Sequence, residues 1–386
     1  MIDKITIKNF KAIQSATIKL SDLSVFVGNN GSGKSSVIEA LQTLQNVLLY
    51  GLSNGFNERW FGLEHIRNTS TPAKSADKKL FTNDIEIEIK GKLPAGKYQY
   101  KVCFNTIPNG DLYLVTHESL LQNKTEIFKS EVIDEKGYTE FFLKNEPLPT
   151  NRIANNLVLS AKNLLGDNSF VQDFKNYISS WQFLSLEPER MYFPIRRDYS
   201  STSIRMKSTG ENLADVFSRM QDNPNISDII LDKMRYVLPD LDNVGREEIS
   251  IQKQIYLFLQ EHNSKRRLPS WLFSSGTLRI LAILAILNSE TPPSIVFIEE
   301  IENGLDPRTL NLLVEEIRSL IPEHQFITTT HSPYFLDLVA LKHIIVAERT
   351  NGKTDYYRPD DDERLNAWKT KFSAGNLYTM NKLSRT

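Results

Sequence analysis

The segment FVGNNGSGKSSVIEA, residues 26–40, constrains the fold more than any other part of this chain. It contains a glycine, four residues of any type, and then Gly-Lys-Ser. In a loop of this kind backbone N–H groups surround phosphate oxygens, the lysine reaches the outer phosphates, and the hydroxyl binds magnesium. The candidate phosphate-binding residues are Gly28, Asn29, Asn30, Gly31, Ser32, Gly33, Lys34, Ser35 and Ser36.

The residues on either side give this motif its required context. The apolar run LSVFV, residues 23–27, predicts a buried strand, and the apolar residues after Lys34 recur at helical spacing. A helix that begins at the loop adds a dipole that favours an anion. The alternative is a plain glycine-rich turn with a solvated lysine, and the flanking pattern disfavours it.

Composition excludes several classes of protein. The 386 residues allow two or three domains, and 40% hydrophobic content is enough for a core. A net charge of -1 gives no global basic field for nucleic acid, and the single cysteine, Cys103, excludes an intrachain disulfide and a cysteine-based zinc site. The N-terminus has no apolar signal region, and residues 280–287 are too few to cross a bilayer. We expect a soluble cytoplasmic protein.

The pattern of the chain changes along its length. Residues 5–20 predict a hairpin that leads into the loop strand, and residues 84–104 predict two alternating strands at the start of an antiparallel meander. From about residue 151 the pattern is mostly helical, with a strand over residues 251–261. Residues 278–287 are apolar on every side, which predicts a fully buried helix.

The segment SIVFIEEIENGLDP supplies carboxylates for a nucleotide site. Its first five residues predict a buried strand that ends at Glu299 and Glu300. At this position the first carboxylate can hold magnesium through its water shell, and the second can orient or deprotonate an attacking water. Two acids at a solvated strand edge are the alternative, and the phosphate loop upstream disfavours it.

Two further segments complete the set of candidates. His331 follows a predicted strand over residues 325–329 and is placed to contact a γ-phosphate, although a lone histidine there is more often an ordinary surface residue. In FSSGTLR, residues 273–279, Gly276 and the preceding serines open a helix that can bind an anion. A plain N-cap by Ser274 or Ser275 is compatible with that role.

Taken in order, these motifs resemble those of ABC-type ATPase heads of the RecF/SMC class. They are most similar to compact OLD-like predicted ATPases of bacterial and phage-defence gene clusters. The matching segments are ITIKNFKAI, GNNGSGKSSVIEAL, STGENLADVF, FSSGTLRILAILAI, FIEEIENGLDP and TTTHSPYFLD.

The resemblance implies an α/β P-loop NTPase of ABC-ATPase type, with a mixed central sheet, an antiparallel β-meander and an inserted helical lobe. It places the N-terminal half of the core in residues 1–150, the helical lobe in residues 151–270 and the C-terminal half in residues 271–386.

The resemblance also implies roles for individual residues. Lys34, Glu300 as base and His331 as γ-phosphate sensor would act in hydrolysis, with ATP as the nucleotide. Ser35 and Glu299 would bind Mg²⁺. In the family two heads stack head to tail, so the ATP of one copy would also meet residues of the other. The residues expected there are Ser274, Ser275, Gly276 and Asp306, with Lys11 reaching the phosphates from the hairpin.

These implications lead to two functions. The first is a homodimeric ATPase that controls DNA engagement or an effector such as a nuclease in phage defence or DNA repair. The effector would be separately encoded, because the residues after His331 are too few for the Toprim nuclease domain of OLD nucleases. The second is a nucleotide-gated scaffold with little turnover that sequesters a toxic partner. A transporter subunit fits the IKNFKAI start and degenerate signature less well, and we expect no membrane partner.

Two further features depart from the pattern of this class. Glu299 replaces the usual aspartate, which predicts slower hydrolysis, and the glutamine loop has no clear position, with residues 181–197 as the best candidate. The basic residues available for DNA are more readily explained as solvated surface charge. They are Arg196, Arg197, Lys265, Arg266 and Arg267.

Overall fold

A computed structural model describes most of the chain. The described residues are 1–68, 70, 83–106, 112–133, 139–144, 146–148, 155–161, 165–197, 205–262, 264–321 and 323–385.

Within these residues the chain forms strands and α-helices in an order close to that predicted. The strands are β1 Ile2–Phe10, β2 Ile13–Lys19, β3 Leu23–Val27, β4 Ile85–Leu93, β5 Gly96–Thr106, β6 Tyr113–Gln122, β7 Thr125–Val132, β8 Thr139–Leu143, β9 Glu146–Leu148, β10 Gln182–Leu184, β11 Ile195–Arg196, β12 Leu241–Ile249, β13 Gln254–Glu261, β14 Arg267–Pro269, β15 Ile295–Ile298, β16 Gln325–Thr329, β17 Ile344–Thr350 and β18 Lys353–Tyr357. The helices are α1 Lys34–Trp60, α2 Ser169–Ser179, α3 Pro188–Met191, α4 Leu213–Met220, α5 Pro224–Val237, α6 Ser275–Leu287, α7 Pro307–Leu320, α8 Pro333–Leu338, α9 Asn366–Lys369 and α10 Ala374–Thr379.

The chain packs into two compact units. The first unit consists of Met1–Trp181, Leu341–Lys371 and Met380–Thr386, and the second consists of Gln182–Ala340 and Phe372–Thr379. These units follow packing, whereas the predicted three-part division follows chain segments. The predicted boundaries therefore stay a prediction.

The first unit contains an antiparallel sheet in the order β2-β1-β4-β5-β6-β7-β8-β9. The predicted hairpin is confirmed, with Phe10 opposite Ile13 where β1 turns into β2. One face of the sheet is apolar because alternate side chains of β4 and β5 point the same way. On this face Phe174 of α2 packs against the rings of Tyr98 and Tyr100, with centroids 5.0 and 5.3 Å away.

The first unit also positions the phosphate loop. Strand β3, buried along its whole length, pairs in parallel with β17, and β17 pairs antiparallel with β18. Helix α1 begins directly after the loop and bends at Gly51, where φ is 83°. The amide of Gln45, on the first half of α1, donates to the carbonyls of Ile178 at 2.7 Å and Trp181 at 2.9 Å. These bonds fix α1 against the end of α2.

The second unit contains parallel and antiparallel strands. Strand β15 pairs in parallel with β10 on one side and β16 on the other, with Ile298 opposite Thr328. Strands β11, β12 and β14 pair antiparallel with β13, so the segment predicted as a helical lobe also contains a small sheet beside α4 and α5. Helix α6 is buried from Ile280 to Leu287, which confirms that prediction. The parallel pairs and the meander confirm the predicted α/β class.

Among the described helices, none combines the length and the apolarity that a membrane span requires.

We predict that Gln45→Leu destabilises the first unit by about 2 kcal/mol, because it removes the buried side-chain hydrogen bonds to the carbonyls of Ile178 and Trp181. Chemical denaturation followed by circular dichroism measures this effect. Gln172→Leu on α2 is the control, since the Gln172 amide donates to the Asn176 side chain at the exposed surface, 2.9 Å away. Equal stability of the two variants would contradict the prediction.

Candidate functional site: phosphate loop, paired carboxylates and signature helix

The backbone of the phosphate loop requires glycine at two positions. The φ angles of Gly28 and Gly33 are 149° and 98°, values that favour glycine. A Cβ atom at Gly28 would lie 2.1 Å from the carbonyl oxygen of Ala347 on β17, and one at Gly33 would lie 2.9 Å from the hydroxyl of Tyr356. The loop therefore packs closely on the strands behind it.

Lys34 returns over the loop that precedes it. Its ammonium donates to the carbonyl of Gly28 at 2.8 Å and to that of Asn29 at 3.0 Å, and the residue is only 7% exposed. The Oγ atom of Ser32 is buried and has no hydrogen-bond partner among the residues that the structure describes. The loop thus presents a cation and an unsatisfied buried hydroxyl.

The first turn of α1 is not capped by a side chain, because its N-cap residue is Gly33. Its leading backbone N–H groups have no carbonyl partner within the helix and are therefore suited to an anion. Ser35 is half-buried in this turn and Ser36 is buried. Asn29, Asn30 and Gly31 lie exposed at the tip of the loop.

Strand β18 supports the loop through a residue that the sequence analysis missed. The hydroxyl of Tyr356 donates to the carbonyl of Gly33 at 2.8 Å, and its ring meets the edge of Phe26 with centroids 6.1 Å apart. Burial raises the pKa of Tyr356, so the hydroxyl stays a donor. On the same strand Thr354 donates to the carbonyl of Ala12 at 3.1 Å. No local pattern around residue 356 indicates this role.

Lys11 is engaged by α1. Its ammonium lies 2.6 Å from a carboxylate oxygen of Glu39 and 4.4 Å from the ring centroid of Trp60. Arg59 shares the same carboxylate at 3.6 Å. That Lys11 reaches the phosphates stays a prediction, and this ion pair would have to open first.

In the second unit, the two acids follow β15. The backbone N–H of Glu299 donates to the carbonyl of Leu184 at 2.9 Å, which continues the pairing with β10. The N–H of Glu300 donates instead to the hydroxyl of Thr329 at 2.9 Å, and Glu300 has a φ of 49°. Glu299 is half-buried and Glu300 is exposed. Asn303 donates to the Glu300 carboxylate at 3.4 Å.

His331 lies just beyond β16. Because β15 and β16 are parallel neighbours in register, Glu299, Glu300 and His331 reach the same edge of the strand pair. The backbone N–H of His331 donates to the carboxylate of Glu302 at 2.6 Å. The structure thus brings three predicted site residues of the second unit together.

The signature segment opens α6 as an N-cap. The hydroxyl of Ser274 accepts from the N–H of Thr277 at 3.1 Å, while Ser275 is exposed. A Cβ atom at Gly276 would lie 2.5 Å from the carbonyl oxygen of Gly304, so α6 starts in close contact with the turn that follows the two acids.

Asp306 ends that turn and is the N-cap of α7. Its carboxylate accepts from the N–H groups of Arg308 at 2.9 Å and Thr309 at 3.1 Å. The Thr309 hydroxyl, 2.6 Å away, and these N–H groups hold the pKa of Asp306 below its usual value. The structure therefore gives Asp306 a capping role, and its part in an interface stays a prediction.

Residues 181–197 are the candidate segment for the glutamine loop, and Gln182 is the first residue of β10 in this segment. Gln182 is 4% exposed, and its amide donates to the carbonyls of Met206 at 2.9 Å and Phe183 at 3.2 Å. Its side chain is thus committed to the backbone of its own unit.

The phosphate loop belongs to the first unit, and the acids, His331 and the signature helix belong to the second. The fold is that of an ABC-type P-loop ATPase head. The chain belongs to the family described as "AAA domain, putative AbiEii toxin, Type IV TA system", whose model matches residues 23–337.

The chain is similar to a protein of Helicobacter pylori and to two solved SMC head structures, among others. An "ATP/GTP phosphatase" of Helicobacter pylori is 22% identical over 353 residues, which cover 88% of this chain and 87% of that protein. A crystal structure of an SMC head bound to the C-winged helix domain of ScpA has a TM-score of 0.55 at 15% identity, covering 92% of this chain and 96% of that one. An SMC head domain with an extended coiled coil, bound to a ScpA domain derived from Pyrococcus furiosus, has a TM-score of 0.54 at 14% identity, covering 96% and 99%. At these identities the structures show a shared fold.

We predict that Tyr356→Phe weakens nucleotide binding about 2- to 10-fold, because it removes one hydrogen bond to the loop, worth about 0.5–1.5 kcal/mol. Titration with a fluorescent ATP analogue measures the affinity. Tyr357→Phe is the matched control, since that hydroxyl donates to Leu383 at 2.8 Å. If both variants bind equally well, Tyr356 does not position the loop.

Proposed function

We propose that the protein binds ATP at the phosphate loop and hydrolyses it with the help of Glu299, Glu300 and His331. The geometry around Lys34 carries this proposal. An ammonium held over a glycine loop, at the uncapped start of a long helix, forms a site for a polyphosphate. The buried hydroxyl of Ser32 in the same loop, which has no partner within the described residues, supports a polar ligand there.

The residues fit a magnesium ion that accompanies ATP. Ser35 and Glu299 offer a hydroxyl and a carboxylate, and oxygen donors are what Mg²⁺ prefers. The described residues contain no group of three or more His, Cys, Asp or Glu side chains suited to a metal. At nucleotide sites Mg²⁺ takes one or two protein ligands together with phosphates and water. When bound, the ion would neutralise charge that develops on the phosphates.

The side chains would then divide the chemistry. Lys34 exchanges its bonds to the loop carbonyls for bonds to the outer phosphates. Glu300, which is exposed and held by Thr329 and Asn303, accepts the proton of the attacking water. His331 contacts the γ-phosphate.

We further propose that ATP joins two copies head to tail through Ser274, Ser275, Gly276 and Asp306. Resemblance to ABC-type heads supports this arrangement. The name of the Helicobacter pylori relative, ATP/GTP phosphatase, supports turnover. The solved SMC heads bind ScpA domains, which supports a protein partner.

The family description names a toxin–antitoxin system, which supports control of a toxic effector, such as a nuclease, in an OLD-like defence role. DNA has weaker support. Arg267 lies 2.6 Å from a carboxylate oxygen of Glu247, and Arg197 lies 3.5 Å from one of Asp222, so part of the basic set is already neutralised. We therefore propose a protein, and not DNA, as the first candidate for the partner.

A nucleotide-gated scaffold with little turnover is the second candidate. Glu299, where the class has aspartate, favours it, because the longer side chain changes the carboxylate position near the metal. Phosphate release by the purified protein separates the two candidates.

We predict that Glu300→Gln lowers phosphate release at least about 100-fold, because an amide cannot accept the proton of water. Affinity for a fluorescent ATP analogue should stay within about threefold of the wild-type value, as expected for a residue that acts on the chemical step. Lys34→Ala should abolish both binding and turnover.

Glu315→Gln is the control, because Glu315 is an exposed acid of the same unit that pairs with Arg318. Undiminished turnover in Glu300→Gln would refute the assigned base. A wild-type protein that binds ATP and releases no phosphate would favour the scaffold.

A further inference from the structure

The turn after β15 contains a third acid, which no role in hydrolysis explains. Glu302 lies two residues beyond Glu300, and its Oε1 atom accepts the backbone N–H of His331 at 2.6 Å. The side chain of Glu302, in the turn after β15, thus binds the main chain of the turn after β16.

We propose that Glu302 is a positioning residue that fixes the turn carrying His331 against the turn carrying Glu300. The inference rests on the proposed function, since it gives these two residues a shared task. In this role Glu302 acts through the backbone of His331.

Among the described residues, three hydrogen bonds connect the turn after β15 with the end of β16 and the turn that follows it. Besides the Glu302 contact, Glu300 donates its N–H to the hydroxyl of Thr329, and Ile301 donates to the Thr329 carbonyl at 3.3 Å. Both of these bonds end at Thr329, the last residue of β16. The carboxylate of Glu302 extends the link beyond the strand to His331.

The environment of the second oxygen of the Glu302 carboxylate is unfavourable for stability. Oε2 of Glu302 is buried and accepts no hydrogen bond from the described part of the protein. A buried carboxylate oxygen without a donor is unfavourable, so an acid is a poor choice if only packing matters. Glu302 also affects a neighbouring tyrosine. Burial raises the pKa of Tyr378 on α10, and the electrostatic effect of Glu302 raises it further.

A helix-capping role does not account for Glu302. The N-cap of α8 is Ser332, whose hydroxyl accepts from the N–H of Phe335 at 3.2 Å. The N–H that Glu302 accepts belongs to His331, one residue before the cap. The carboxylate therefore acts on the histidine's own peptide group.

The test compares Glu302→Ala, which removes the acceptor, with Glu302→Gln, whose amide oxygen can still accept the N–H. Glu315→Ala is the control for loss of an acid. In Glu302→Ala we expect kcat for phosphate release at least tenfold below wild type with KM within twofold. Glu302→Gln should retain at least a third of wild-type kcat.

Hydrogen exchange checks the contact independently of turnover. Peptides that contain residues 328–335 should exchange at least tenfold faster in Glu302→Ala and within threefold of wild type in Glu302→Gln. Wild-type exchange in Glu302→Ala would overturn the proposal. So would wild-type kcat in that variant, or a Gln variant as inactive as the Ala variant.

A wild-type protein without phosphate release would contradict the proposed hydrolysis and not this contact. The proposal is then decided by protection of the same peptides on addition of ATP, which Glu302→Ala must abolish. Protection retained in that variant would overturn it.

Discussion

The close approach of β3 and β17 at Gly28 fixes the start of the phosphate loop. A side chain at residue 28 would collide with the carbonyl of Ala347, so the two parallel strands pair at this distance only with glycine there. Tyr356 fixes the other end of the loop at the carbonyl of Gly33. With both ends held, the loop carbonyls converge on the ammonium of Lys34, and the cation is in place before any phosphate arrives. A preformed site loses less entropy on binding than one that must be ordered.

In the second unit, parallel strand pairing brings the candidate site residues together. Parallel strands end at the same edge of a sheet, so side chains that follow β15 and β16 become neighbours although the strands lie far apart in the chain. Thr329 makes the arrangement exact by binding the N–H of Glu300 through its hydroxyl. The backbone of a strand-end acid is thus held by a hydroxyl from the neighbouring strand.

The sequence was informative where a signal is local. The alternation or apolar runs of β3, β15 and β16, and the spacing of α1, need only a few neighbouring residues, and the structure confirms these elements. The capping of α6 by Ser274 is local in the same way. Glu300 and His331 share one edge because β15 and β16 pair in parallel. The strand pattern of each segment is visible in the sequence.

Other contacts had no such signal. Tyr356 bonds a residue 323 positions earlier in the chain, and nothing in the KTDYY strand distinguishes it from a core tyrosine. Lys11 contacts both Glu39 in the first half of α1 and the ring of Trp60 at its far end. Such contacts depend on tertiary packing, and short-range periodicity carries no information about them.

The backbone at Glu300 gives an independent reason to regard it as functional. A left-handed conformation costs a residue with a Cβ atom about 1–2 kcal/mol, and glycine or asparagine would adopt it more easily. The conformation lets Ile301 enter the core at 2% exposure while the carboxylate of Glu300 faces solvent. Selection for stability alone would favour glycine at this turn. A left-handed backbone on an exposed acid, held by Thr329 and Asn303, agrees with the catalytic role proposed for Glu300.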